Sequence, residues 1–150
     1  MTGNTREQLE QINQQIKELV GVYRAALGSR NVSENEFWVW YSLIMTEEKL
    51  SQQDICAMWS LSKQTVNTII TQMGKKGLVS LEVVPGSKNR KIISLTEAGE
   101  RYGKELVVPV SVAEQRAFER LPGEDRTVVT AALGKYIDLL REELERETRG

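Results

Sequence analysis

The fold of this chain is decided by residues 50–66, LSQQDICAMWSLSKQTV. Ser51 precedes an apolar-periodic run and Asp54 follows three residues later, which is the pattern of a capping box at a helix start. Ser62 is a second N-cap candidate, because its hydroxyl can accept a hydrogen bond from an unpaired amide of the next turn. The stretch therefore predicts two short helices joined by a tight turn, the first with an apolar face at Ile55, Met58 and Trp59.

The second helix has two faces of different composition. Its apolar stripe, which must pack on the first helix, consists of Val66, Ile69, Ile70 and Met73, and Gly77 is a natural C-terminal stop. The other side chains near its start are small, hydrogen-bonding or basic: Ser62, Lys63, Gln64, Thr65, Asn67 and Thr68. This composition is typical of a recognition helix, whose first turns meet base edges in the major groove. A merely solvated helix face is the alternative.

The segment after this helix predicts a basic β-hairpin. Residues 79–84 and 91–95 are strand-like, and the turn between them reads PGSKNR. Residues 62–91 hold six basic side chains and one acidic one, a local charge of +5. Because the net charge of the whole chain is −1, the remaining residues together carry a charge of −6. Positive charge is concentrated where phosphate contact would need it. The candidate backbone contacts are Lys63, Lys75, Lys88, Asn89, Arg90 and Lys91.

These residues resemble the MarR family of winged helix-turn-helix transcriptional regulators. The resemblance rests on Leu50-Ser51, Asp54-Ile55, residues 61–66, residues 76–79 and residues 95–99. The family commonly has an Asp-x-Arg in the wing, but here those positions hold Ser87 and Asn89, so we expect Arg90 to take over the arginine's role. The resemblance implies a repressor that binds pseudo-palindromic double-stranded DNA as a homodimer.

The chain ends predict long amphipathic helices. We expect four helices outside the helix-turn-helix. The first spans about 6–27, the second begins at 33, the third runs from 97 to about 120 with a kink near Pro109, and the last ends at about 147. Exposed apolar stripes of this length are rare on a monomer, so a twofold dimer is the simplest way to bury them. The expected fold is mainly α with a small two- to three-stranded β wing. Residues 31–96 would form the winged helix-turn-helix, and residues 1–30 and 97–150 a helical dimerisation region.

A second expectation from the resemblance is a small aromatic effector. Relatives bind such ligands between the first helix, the second helix and the long helix after the wing, which makes Tyr23, Trp38 and Trp40 the pocket candidates. The alternative is that these aromatic side chains belong to the core, as aromatics at helical spacing usually do.

Composition argues against several other classes of protein. Histidine is absent and Cys56 is the single cysteine, so the chain lacks the commonest general base and metal ligand and cannot form an internal disulfide. We expect no enzyme activity, no cofactor and no metal, and we read Cys56 as a buried small residue. No apolar stretch is long enough for a membrane span and no signal peptide is evident, so we expect a cytoplasmic protein. The rivals are a winged-helix protein–protein assembly module and a small helical enzyme.

Overall fold

The computed structural model describes residues 3–150 as six helices and one antiparallel hairpin. In chain order the elements are α1 (Gly3–Leu27), α2 (Glu34–Met45), α3 (Gln52–Trp59), α4 (Lys63–Lys75), β1 (Val79–Val83), β2 (Lys91–Leu95), α5 (Glu97–Glu119) and α6 (Gly123–Arg149). The predicted fold class, mainly α with a small β wing, is confirmed. The described residues form two compact units that meet in the chain between Val110 and Ser111.

Serine caps begin the three short helices, and the sequence predicts those at Ser51 and Ser62. Ser51 and Asp54 form a full capping box, in which the Asp54 carboxylate accepts from the Ser51 amide at 2.8 Å. Ser62 caps α4 by accepting from the Thr65 amide at 3.1 Å. Ser33 caps α2 in the same way, and the Glu36 carboxylate accepts from the Trp40 indole at 3.4 Å. Such a cap contributes about 1 kcal/mol to stability.

The core of the first unit lies where α2, α3 and α4 meet. Phe37, Val39, Trp40, Ile55 and Val66 are completely buried, and Ile70 and Met73 are almost so. The apolar stripe predicted for α4 is confirmed, although Ile69 is half-buried. The prediction that Met58 shares the buried face of α3 with Ile55 and Trp59 is wrong. Met58 is 47% exposed, because the eight residues of α3 turn Ile55 and Trp59 inward and leave Met58 outside.

The wing is a two-stranded sheet joined to the start of α3. Val79 pairs with Leu95 and Val83 with Lys91 across the hairpin. On the other side of β2, the Ile93 amide donates to the Leu50 carbonyl at 2.8 Å, and Ser51 forms an isolated bridge with Ile92. The third strand is therefore reduced to a single bridge, which still fixes the base of the wing on the helix-turn-helix.

A close approach joins the end of α4 to the start of α5. Gly77, at φ 74°, ends α4 as predicted. The Thr96 amide donates to the Leu78 carbonyl at 3.0 Å and the Thr96 hydroxyl donates to the Gly77 carbonyl at 2.7 Å. The Thr96 hydroxyl also caps α5 by accepting from the Gly99 amide at 3.0 Å. A side chain at Gly99 would meet the Leu78 carbonyl oxygen at 1.9 Å, so only glycine fits there.

The second unit contains the end of α5 and all of α6. Pro109 lies within α5, which continues to Glu119, and α6 begins at Gly123 after a break at Leu121-Pro122. No residue of α6 is buried in the single chain. An apolar stripe along α6 is largely exposed, with Val129, Leu133, Ile137, Leu140 and Leu144 between 41% and 56% accessible. Among residues 3–150, no helix is both long and apolar enough to cross a membrane.

Candidate nucleic-acid interface

The recognition helix predicted from the sequence is α4, and its outer face is polar and accessible. Val66, Ile70 and Met73 hold the inner face against the core. Gln64, Asn67 and Thr68 lie on the opposite side, and all three are exposed. Helical spacing of 100° per residue accounts for this separation, since 64, 67 and 68 fall opposite 66, 70 and 73. The face offers two side-chain amides and a hydroxyl to any partner.

The side chains of Ser62 and Thr65 are hydrogen-bonded to each other at the start of α4. The Ser62 hydroxyl accepts from the Thr65 amide and donates to the Thr65 hydroxyl oxygen at 2.8 Å. Ser62 is exposed, whereas Thr65 is half-buried. Both hydroxyl groups therefore help to fix the first turn of α4, and Lys63 between them is exposed at the same end of the helix.

The tip of the wing is a closed turn with exposed polar residues. The Val84 amide donates to the Arg90 carbonyl at 2.8 Å, and the Ser87 hydroxyl donates to the Val84 carbonyl at 3.0 Å. Gly86 adopts φ 85°, which a left-handed turn position requires. Lys88 and Asn89 lie in this turn and are exposed.

The remaining basic candidates lie on neighbouring elements of the same domain. Lys75 lies in the last turn of α4 and Lys91 begins β2, and both are exposed. Because α4 packs on β1 and β1 pairs with β2, these lysines belong to one continuous winged helix-turn-helix. All the predicted DNA-contact residues lie within this domain, between the N-cap of α4 and the start of β2.

Arg90 makes a contact that the sequence analysis missed. Its Nη2 atom donates to Asp54 Oδ2 at 3.3 Å, across 36 residues of chain. The pKa of Asp54 lies below its ordinary value, first because its carboxylate accepts from the Ser51 backbone amide. Burial opposes this shift, and smaller contributions from the Ser51 hydroxyl and from Arg90 lower the pKa further. The capping box was readable in the sequence, but nothing there signalled that the wing would reach it.

The aromatic side chains predicted to line a ligand pocket separate into two groups. Tyr23 and Trp38 meet edge to face with ring centroids 5.0 Å apart. Trp38 also stacks on Trp59 at 4.7 Å. Trp40 does not join them: it is completely buried and contacts Tyr102 at 5.1 Å.

A hydrogen-bonded relay reinforces the first aromatic group. The Trp59 indole donates to the Ser42 hydroxyl, which donates to the Trp38 carbonyl at 2.8 Å. Ser42 is 2% exposed, so these bonds satisfy a buried polar group. Sequence reasoning assigned Trp59 to the core but had no signal for this relay.

A cavity of about 480 Å³ lies near the end of α1 and the start of α2. It is open to solvent and lined by Arg24, Leu27, Gly28, Asn31, Val32, Ser33 and Glu34. The lining includes none of the three predicted pocket residues. Arg24 Nε donates to the Glu34 carboxylate at 2.7 Å in this lining, so two of its charged groups are already paired.

Comparison with known proteins agrees with this architecture. A sequence model of the MarR family matches residues 32–88, the segment from the start of α2 to the wing tip. An HTH-type transcriptional regulator of Bacillus subtilis, YcgE, is 28% identical over 86 residues, which cover 57% of this chain and 56% of that protein. The chain thus spans little more than half the length of that relative.

Solved structures match over almost the whole chain. NMB1585, a MarR family regulator from Neisseria meningitidis, is 25% identical with a TM-score of 0.81 and covers 93% of this chain and 98% of its own. AbsC, a MarR family transcriptional regulator from Streptomyces coelicolor, is 21% identical with a TM-score of 0.78, over 95% and 97% of the two chains. Together, the match over residues 32–88 and the shared fold show that this chain is similar to MarR family regulators and has their winged helix-turn-helix fold.

Proposed function

We propose that the protein is a homodimeric transcriptional regulator that binds specific, pseudo-palindromic DNA sites and represses by occluding them. The observation that carries the proposal is the outer face of α4, where Gln64, Asn67 and Thr68 are exposed opposite a buried apolar stripe. A helix that bound another protein would be expected to present aromatic or leucine anchors there. Under this proposal the chain binds its target and does not chemically alter it, and it acts in the cytoplasm, where its DNA is.

Base reading is assigned to the first turns of α4 and phosphate contact to its surroundings. The amides of Gln64 and Asn67 can bond adenine N6 and N7 in bidentate fashion, and Thr68 adds a hydroxyl. Ser62, Lys63 and Thr65 belong to the same N-terminal turn. The contacts to the DNA backbone come from residues that lie around the helix: Lys75, Lys88, Asn89, Arg90 and Lys91.

The dimer is supported by apolar surface that a single chain leaves uncovered. In α6, Val129, Leu133, Ile137, Leu140 and Leu144 recur at three- and four-residue spacing and are all exposed. In α1, Ile16 and Leu19 are exposed in the same way. A second copy related by a twofold axis would bury such stripes and present two recognition helices to two half-sites. Residues 1–30 and 97–150 are therefore proposed as the dimerisation region.

Two structural relatives support a DNA target and a small effector. S. aureus MepR, 20% identical with a TM-score of 0.65, was solved as a DNA complex. Bordetella bronchiseptica BpsR, 17% identical with a TM-score of 0.66, has its DNA binding regulated by 6-hydroxynicotinic acid. We propose by analogy that a small aromatic effector near Tyr23 and Trp38 relieves repression. Such a ligand must favour one spacing of the two DNA-binding lobes over another. Trp40, the third pocket candidate, would need to leave its buried position.

The test is selection from a random-sequence DNA pool at two salt concentrations, with sedimentation to measure the oligomeric state. We expect a palindrome to be enriched, with affinity that falls steeply as salt rises. Lys88→Ala should flatten the salt dependence, whereas Lys17→Ala, an exposed lysine of α1, should leave it unchanged. Salt-dependent binding without enrichment would indicate a nonspecific DNA binder. No binding at low salt would refute the proposal and favour the protein-assembly module.

A further inference from the structure

Asp54 is held in place by contacts on two sides. Its carboxylate oxygen Oδ2 accepts from the Ser51 amide at 2.8 Å, and its own amide donates to the Ser51 hydroxyl at 3.2 Å. The same Oδ2 atom accepts from Arg90 Nη2 at 3.3 Å. The capping box therefore fixes the position of the carboxylate that Arg90 contacts.

The backbone also brings the two residues together. The Ile93 amide donates to the Leu50 carbonyl, and Ser51 bridges to Ile92. Arg90 precedes this junction on the wing and Asp54 follows it on α3. The ion pair is thus an additional link across a junction that main-chain bonds already define.

The contact leaves most of the guanidinium available. It is made through one nitrogen, and arginine carries five N–H donors. The Arg90 side chain is 53% exposed and that of Asp54 37% exposed. A free arginine loses considerable rotamer freedom when it binds a partner, and an existing contact removes part of that cost in advance. The geometry is that of an arginine aimed by a carboxylate while its other donors stay free.

We propose that Asp54 is a positioning residue that orients Arg90 for contact with DNA. The inference rests on the proposed DNA-binding function. It assigns to α3 the steadying carboxylate that the wing lacks, since Ser87 and Asn89 occupy the wing positions where the family pattern has aspartate and arginine. Asp54 then has two uses, as the capping residue of α3 and as the acceptor that holds Arg90.

The sign of the change in DNA affinity on removal of the Asp54 charge tests the proposal. A carboxylate near DNA repels phosphate, so its removal alone should strengthen binding, by about two-fold for a charge roughly 10 Å from a phosphate in water. If Asp54 orients Arg90, its removal should instead weaken binding. Asp54→Asn is the informative change, because asparagine keeps an oxygen that can accept from the Ser51 amide but loses the charge that pairs with arginine.

The experiment measures the affinity of the full-length protein for one selected duplex in four forms: wild type, Asp54→Asn, Arg90→Ala and the double variant. We expect Asp54→Asn to lose about two- to five-fold in affinity, the range of an exposed ion pair. In the Arg90→Ala background the same change should cause no loss. Glu82→Gln, which removes an exposed carboxylate from β1, is the matched control and should leave affinity unchanged or raised.

Several results would overturn the inference while leaving the proposed function intact. The first is that Asp54→Asn binds DNA as tightly as the wild type or more tightly. The second is that Asp54→Asn lowers the affinity equally in the wild-type and Arg90→Ala backgrounds, and the third is that Arg90→Ala binds like the wild type. Ser51→Ala separates capping from positioning, because it removes the cap hydroxyl and keeps the Asp54 carboxylate. It should lower the melting temperature more than the affinity, and a loss of affinity as large as that of Asp54→Asn would show that the cap is responsible. A wild type that binds no duplex would refute the proposed function itself.

Discussion

Replacing Gly99 with alanine should destabilise the protein strongly, although alanine is the better helix former. The new Cβ would lie 1.9 Å from the Leu78 carbonyl oxygen, which is main chain and cannot rotate away. The start of α5 must therefore retreat by roughly 1.5 Å to reach an ordinary contact distance. That movement breaks the bonds from Thr96 to the Leu78 and Gly77 carbonyls.

The expected cost follows from these contacts. Two hydrogen bonds at about 1 kcal/mol each and overpacking of about 1–3 kcal/mol sum to about 3–5 kcal/mol. Alanine's higher helix propensity returns at most about 1 kcal/mol. The free energy of unfolding should thus fall by about 2–4 kcal/mol, a large part of the stability of an ordinary domain.

Urea unfolding followed by far-UV circular dichroism would measure this cost, with Gly21→Ala as the matched control. Gly21 is also a helical glycine of the first unit, but a Cβ there meets no atom within 4 Å. The control should gain about 0.5–1 kcal/mol. All variants must be compared at one protein concentration, because the stability of a dimer depends on it. A Gly99→Ala protein as stable as the control would refute the argument from close approach.

Four further changes have definite expected outcomes. Lys88→Ala should reduce the slope of log affinity against log salt by about one unit, measured by fluorescence anisotropy, if the lysine contacts one phosphate. Asn67→Ala should cost about 1–3 kcal/mol at a single base pair, and a uniform loss across operator variants would instead indicate a backbone contact. Because folding lowers the pKa of Asp54, the ionised carboxylate stabilises the fold above its unfolded pKa, and this stabilisation disappears as pH falls through the folded pKa. The difference in stability between the wild type and Asp54→Asn should therefore shrink below about pH 4. Trp59→Phe should lower the free energy of unfolding by about 1–2 kcal/mol, because the buried Ser42 hydroxyl loses its indole donor.

Local features of this fold could be predicted from the sequence because short-range geometry determines them. The caps at Ser51 and Ser62 depend on residues three positions away, and the α4 stripe on a 3.6-residue period. The stop at Gly77 needs only a residue that tolerates positive φ. Each of these features was predicted correctly.

Features that depend on contacts distant in sequence could not be predicted. The pair between Asp54 and Arg90 requires knowing how the wing folds back on α3, and periodicity carries no such information. For the same reason, helical spacing grouped Met58 with Ile55, although only the packing of a two-turn helix decides which of its apolar residues face the core. Trp38 and Trp40, two residues apart, were expected to share a pocket, but neighbouring positions on a helix point in different directions.

The aromatic stack has a spectroscopic consequence. All three tryptophans of the chain lie in α2 and α3, at positions 38, 40 and 59. Indole emission therefore reports only on the first compact unit, whereas far-UV circular dichroism is dominated by helices of both units. The stacked indoles of Trp38 and Trp59, with ring centroids 4.7 Å apart, should add an excitonic signal in the near-UV that disappears when they separate. If the emission and the far-UV signal change at different urea concentrations, residues 111–150 and the tryptophan-bearing unit unfold separately; coincident transitions would mean that both unfold as one cooperative structure.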